Sequence, residues 1–167
     1  MCSRPLRTLA ATLCAAASAA GAQAAAQAPA GGLTPALRAH VQNGRFDVVS
    51  TIRGLPLGVR GELQTLFGGR AWDMAEPGEP FQGSSATADT TLPSRRLVAA
   101  GCSYEDCLVF YERGAGSART RRVVLFHWTP DMTRFEWGGT LPPGLKTIDD
   151  VRRVVLAGAA RPTTGPW

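Results

Sequence analysis

The sequence predicts an α+β fold: a four-stranded antiparallel meander plus one N-terminal strand, packed with two or three helices in a two-layer arrangement. Three observations predict it. Between residues 95 and 137, four β-branched and aromatic runs follow one another with turn residues between them. Segments with apolar residues at helical spacing lie on both sides of that block. Two cysteines, Cys102 and Cys107, sit where they would staple the first hairpin of the meander.

The N-terminus comes first because it sets the compartment. Arg4 and Arg7 form a basic start, residues 6–20 form a short apolar stretch with no charge beyond Arg7, and Ala22 and Ala24 offer a small-residue cleavage site. Residues 1–24 are therefore expected to be a cleaved secretory signal using the general secretion route, and 25–33 a flexible leader to a single globular domain over 34–167. A membrane span would need about 20 predominantly apolar residues, more than this alanine-rich stretch supplies. Cys14 follows Leu13 inside the apolar stretch, which argues against lipidation, and Arg4 and Arg7 are not adjacent, which argues against twin-arginine export. The expected location is periplasmic or secreted.

Cleavage changes the charge and the cysteine count. The chain has 18 basic and 13 acidic residues; without Arg4 and Arg7 the basic total is 16 and the net charge +3. Lys146 is the single lysine, and the bias toward Arg, Ala, Gly and Pro is that of a GC-rich bacterial genome. About 145 residues suit one domain with a core of its own. Cys2 and Cys14 leave with the signal, so Cys102 and Cys107 form an even pair in an oxidising compartment. In the register that opposes them, Gly101 faces Leu108, Ala99 faces Phe110 and Val98 faces Tyr111, small against large. Opposed non-hydrogen-bonded positions have Cα atoms about 4.5 Å apart, within reach of a disulfide. The C-x4-C spacing lacks the C-x-x-C form of a metal or redox pair, and no second ligand pair exists in the mature chain, so no metal and no cofactor is expected.

Thr34 followed by Pro35 starts a first helix carrying Leu37 and Val41 and ending at Asn43 and Gly44. Residues 46–52 read FDVVSTI, a strand with Phe46, Val48 and Ile52 on one face. Pro56 opens a second helix with Val59, Leu63, Leu66 and Phe67 at helical spacing; Gly58 and Gly61 weaken it by about 1 kcal/mol each, so packing must hold it. Residues 70–94 lack a period and form a long loop. Its Trp72, Met74 and Phe81 either pin it to the core, the preferred reading, or line a binding surface.

The meander strands are expected at 95–102, 107–113, 120–128 and 134–137, with Pro130 and Asp131 in the last turn. Pairing Trp128 with Thr133 sets Phe126 against Phe135 and Val124 against Trp137, an aromatic face, and leaves His127, Arg134 and Glu136 on an open one. A third helix begins at a capping-box-like T-I-D-D, Thr147 to Asp150, and its Ile148, Val151 and Val155 are expected to cover the aromatic face.

Few residues point to chemistry. A Ser-His-Asp set can be assembled from Ser103, His127 and Asp131, but without a G-x-S-x-G elbow. The acidic pairs Glu105/Asp106 and Asp149/Asp150 read as turn and helix-start acids. The Gly-Ala-Gly of residues 114–116 precedes a strand and lacks the G-x-G-x-x-G pattern, so it reads as a hairpin loop. Arg119, Arg121 and Arg122, beside Arg113, make a basic rim that either guards a strand edge or meets an acidic partner. The expected binding surface joins Trp72, Phe81 and these three arginines with His127 and Arg134. The expected function is a non-catalytic exported domain that binds an envelope protein or an anionic envelope component, and not nucleic acid, through its loops and the open sheet face. The alternatives are a small inhibitor or immunity-type protein blocking an envelope hydrolase, and a hydrolase using His127.

Overall fold

A computed structural model describes residues 32–68, 72–83, 91–115 and 118–167. The expected signal segment lies outside the described residues. No helix among them is long and apolar enough to cross a membrane.

The runs Cys107 to Tyr111 and Val123 to Phe126 are continuously apolar, which suits strands buried on both faces. They form the centre of an open antiparallel sheet of six strands in sequence order, β1 (Asp47–Val49), β2 (Arg95–Cys102), β3 (Asp106–Ala115), β4 (Ala118–Trp128), β5 (Thr133–Thr140) and β6 (Arg161–Pro162). Among the described residues three α-helices pack with the sheet, α1 (Pro35–Asn43), α2 (Leu57–Leu66) and α3 (Ile148–Leu156). The α+β class holds. The expected two layers become three, because each sheet face has its own buried cluster.

On one face Val109, Tyr111, Val124 and Phe126 pack with Val59 and Leu63 of α2. On the other, Phe110, Val123, Leu125 and Trp137 pack with Val41 of α1 and with Val151 and Val155 of α3. The sequence expectation put α3 over Phe126 and Phe135. A bulge between Leu125 and Phe126 overturns it by turning Trp137 to face Leu125, while Phe126 still opposes Phe135. Helix α3 covers the Trp137 side, and Trp167, a residue for which the sequence suggested no role, packs against Phe135 with ring centres 5.2 Å apart.

In the first hairpin, Cys102 opposes Cys107, Gly101 opposes Leu108 and Ala99 opposes Phe110, as expected. A second irregularity between Leu97 and Ala99 puts Leu97, not Val98, opposite Tyr111. The disulfide joins Cys102 and Cys107 with Cα atoms 4.1 Å apart. The expected strand over 46–52 is only three residues long, because Ile52–Gly54 turn into a 3-10 segment capped by the Thr51 hydroxyl.

The helices form where their caps allow. The Thr34 hydroxyl accepts from the Leu37 amide, and α3 carries a complete capping box between Thr147 and Asp150. Helices α1 and α3 cap each other's C-terminal ends: Arg38 donates to the Leu156 carbonyl, and Arg152 donates to the carbonyls of Val41, Gln42 and Gly44. Gly58 has a packing reason, since a Cβ there would lie 2.1 Å from the Thr133 hydroxyl of β5.

The described parts of the 70–94 segment are tied down. Ala75 bridges Arg96 in parallel, Asp73 accepts from the Ser94 amide, and Gln82 donates from its backbone to Pro93 and from its side chain to Leu92. Met74 and Ala75 are buried, and so is Phe81, held between the guanidinium groups of Arg96 and Arg119 at 4.5 and 5.3 Å. Phe81 therefore pins the segment; it is not part of an exposed binding surface.

Candidate functional site

A cleft of about 600 Å³ opens between α2, the 3-10 turn and residues 72–76. Its apolar wall is Ile52, Leu57, Trp72 and Met74, and its polar groups include Arg53, Arg60 and Glu76. Leu57 is at the start of α2, away from the buried Val59 and Leu63, and is 76% exposed. The indole N–H of Trp72 donates to the Met74 carbonyl at 3.0 Å, which fixes the ring. Glu76 is already engaged, accepting from the Ile52 amide at 2.8 Å. Arg60 is not fully engaged: its Nε is buried and has no hydrogen-bond partner. An apolar wall beside an unmet donor matches a ligand that combines an apolar group with an acceptor.

A second constellation lies at the hairpin end of β3. Asp106 is 3% exposed, and its Oδ2 accepts from His40 Nδ1 at 3.0 Å. His127, its cross-strand neighbour on β4, has Nδ1 3.9 Å from Oδ1, which lacks a hydrogen bond. Both histidines of the chain thus flank one carboxylate. A cleft of about 450 Å³ beside it is lined by His40, Arg45, Tyr104 and Glu105. The set Ser103, His127 and Asp131 does not assemble. The Ser103 hydroxyl bonds the Asp106 main chain, donating to its carbonyl and accepting from its amide, and Asp131 is exposed in the β4–β5 turn. The acid beside His127 is Asp106. Among the described residues no group of three His, Cys, Asp or Glu side chains is placed to hold a metal ion.

The basic residues divide between the two sheet faces. Glu112 on β3 pairs with Arg96 at 2.8 Å and Arg121 at 3.4 Å, in a row across three strands. On the opposite face, Arg95 and Arg113 face each other across β2 and β3, and Tyr111 faces Arg122 across β3 and β4. Burial raises the Tyr111 phenol and lowers Arg95 and Arg122. Arg95 is stacked on Phe67 at 4.1 Å and bonded to Asp73, Ser94 and the Trp167 main-chain oxygen.

The residues expected to share one binding surface are therefore dispersed. Trp72 lines the α2 groove, Phe81 is buried, and Arg119 stacks on Phe81. Arg121 serves Glu112, while Arg122, 8% exposed, donates to the Thr140 hydroxyl on the other face. His127 lies near Asp106, and Arg134 pairs with Glu136. Both sheet faces carry buried clusters, and of the residues expected on the open face Arg134 is exposed while His127 and Glu136 are half-buried. Sequence reasoning missed Leu57 and Arg60, although the helix period that buries Val59 and Leu63 turns Leu57 outward. It also missed Asp106 as the shared acid; the His127 cross-strand position was its only signal.

The chain matches no family model, no curated protein and no solved structure.

Proposed function

We propose that this chain is a non-catalytic exported binding domain whose α2 groove receives an apolar, acid-bearing segment of an envelope protein. The observation that carries the reading is the groove itself, where exposed Leu57 and the fixed Trp72 ring sit beside the unmet Arg60 donor. Arg53 adds positive charge on the same rim, while Glu76 is occupied by the Ile52 amide. A disulfide fits an oxidising compartment, and the expected signal segment supplies the route. Acidic envelope partners suit the net charge of the mature chain.

The test is capture from periplasmic extract with the mature chain and with Leu57→Asp, after circular dichroism shows that the two share a fold. The expected result is a stoichiometric partner held by the parent and lost by the variant. Equal capture by both would overturn the groove as the recognition surface. A captured hydrolase whose activity falls on binding would make the protein an inhibitor acting through the same groove.

A further inference from the structure

On the face of the sheet that α2 covers, two adjacent rows carry an excess of donors. The outer row is Arg95, Arg113 and Thr120; the next is Leu97, Tyr111, Arg122 and Thr140. Three guanidinium groups and a phenol thus meet at the ends of β2, β3 and β4. The acid among their bonded partners is Asp73, which serves Arg95 and Ser94. Glu112 is on the other face, taken by Arg96 and Arg121.

Nε of Arg95, Arg113 and Arg122 is buried without a hydrogen-bond partner, and the Tyr111 hydroxyl, within reach of the Arg95 guanidinium, has no acceptor for its own proton. Tyr111 is fully buried, Arg95 is 6% and Arg122 8% exposed. The guanidinium groups act electrostatically on the phenol, and Arg113 also acts on both other arginines, so the four groups share one neighbourhood. Buried donors without acceptors are rare in folded proteins, and each calls for a water, an ion or a function. Three guanidinium groups against the single acid Asp73 leave positive charge in excess, which suits an anion.

We propose that Arg95, Tyr111, Arg113 and Arg122 form a binding site for a phosphate-class oxyanion, held by their unpartnered donors at the ends of β2, β3 and β4. Three adjacent strands supply donors on one sheet face, which suits a group carrying several acceptor oxygens. Arg113, the most exposed of the four, marks the way in. The site shares no lining residue with the α2 groove and stands or falls separately from it.

The experiment titrates inorganic phosphate into the mature chain, read by calorimetry and by the shift in thermal midpoint, against chloride at equal ionic strength. Wild-type protein is expected to bind phosphate and gain stability that chloride does not give. Arg113→Met, which keeps the aliphatic stem, is expected to weaken binding about ten- to hundred-fold through loss of a charge-assisted contact. Arg153→Met on exposed α3 should bind as the parent does. Tyr111→Phe gives an independent reading that needs no charge change: it should weaken phosphate binding, because it removes the hydroxyl donor. No phosphate-specific effect in the parent, or unchanged binding in both Arg113→Met and Tyr111→Phe, would overturn the site. Glycerol phosphate separates the sources: binding equal to that of inorganic phosphate means a terminal phosphate of a larger envelope molecule fits, and phosphate alone means the free ion does.

Discussion

Reducing the Cys102–Cys107 disulfide should destabilise the protein by an amount set by the small loop it closes. The two cysteines are five positions apart, and loop-closure entropy for so short a ring gives about 2 kcal/mol. The native hairpin does not need the bond to hold its shape. Ser103 donates from its amide to the Asp106 carbonyl at 2.7 Å, and the Trp128 amide donates to the Glu105 carbonyl at 2.8 Å. The cost therefore falls on the unfolded chain, which regains freedom when the link is cut. With a urea slope of about 2 kcal/mol per molar for a chain of this size, the unfolding midpoint should drop by about 1 M. The assay is urea unfolding of oxidised and fully reduced protein, with mass spectrometry confirming the thiol state. Reduction leaves the core filled; Cys107→Ala would add a cavity, since Cys107 is fully buried. An unchanged midpoint after complete reduction would refute the entropy argument. Two free thiols in protein taken from its native compartment would refute the oxidising location.

Four further outcomes follow from individual contacts. Thr147→Ala removes the side-chain half of the α3 capping box and should cost about 1 kcal/mol in chemical denaturation. Hydrogen bonds from Thr147 and Lys146 hold the Asp150 carboxyl below its ordinary value of 3.8, so the contribution of Asp150 is full above that pH and is lost as pH falls further. Gly138→Ala sets a Cβ 2.3 Å from the Trp167 ring; overpacking of this kind costs about 1–3 kcal/mol, and displacement of Trp167 should red-shift tryptophan emission. Burial raises the Tyr111 phenol above its ordinary value of 10.0, so above about pH 10 the unfolded chain loses that proton before the folded one and stability falls as pH rises. Arg95 and Arg122, lowered by burial, change stability in the opposite direction but are present in Tyr111→Phe as well. The alkaline loss in the parent should therefore be steeper than in Tyr111→Phe, measured by urea unfolding between pH 9 and 11.

The elements were legible where local chemistry decides them. Thr34–Pro35, the Thr147 capping box and the small-against-large pairs of the first hairpin are signals of neighbouring residues, and the structure carries all three. The layers were harder to read. Alternation of apolar and polar residues suggests a sheet with one wet face, yet residues 107–111 are apolar without a break, which is the mark of a strand covered on both sides. Trp137 went to the other face because a single bulged position reverses every side chain beyond it, and no residue in 125–126 announces the bulge. The site depended on long-range pairing. His40 and Asp106 are 66 positions apart, and Arg95 meets Trp167 across 72. Only the sheet register and the helix docking bring such pairs together, so a basic rim read along the chain became two groups on opposite faces.

Hydrogen exchange of the mature chain, alone and with its captured partner, tests the groove most directly. The account predicts new protection at residues 57–61 and 72–76, where Leu57, Arg60, Trp72 and Met74 line the cleft. Protection confined to the His40–Asp106 end of the sheet or to β4, with the α2 segment unchanged, would contradict it.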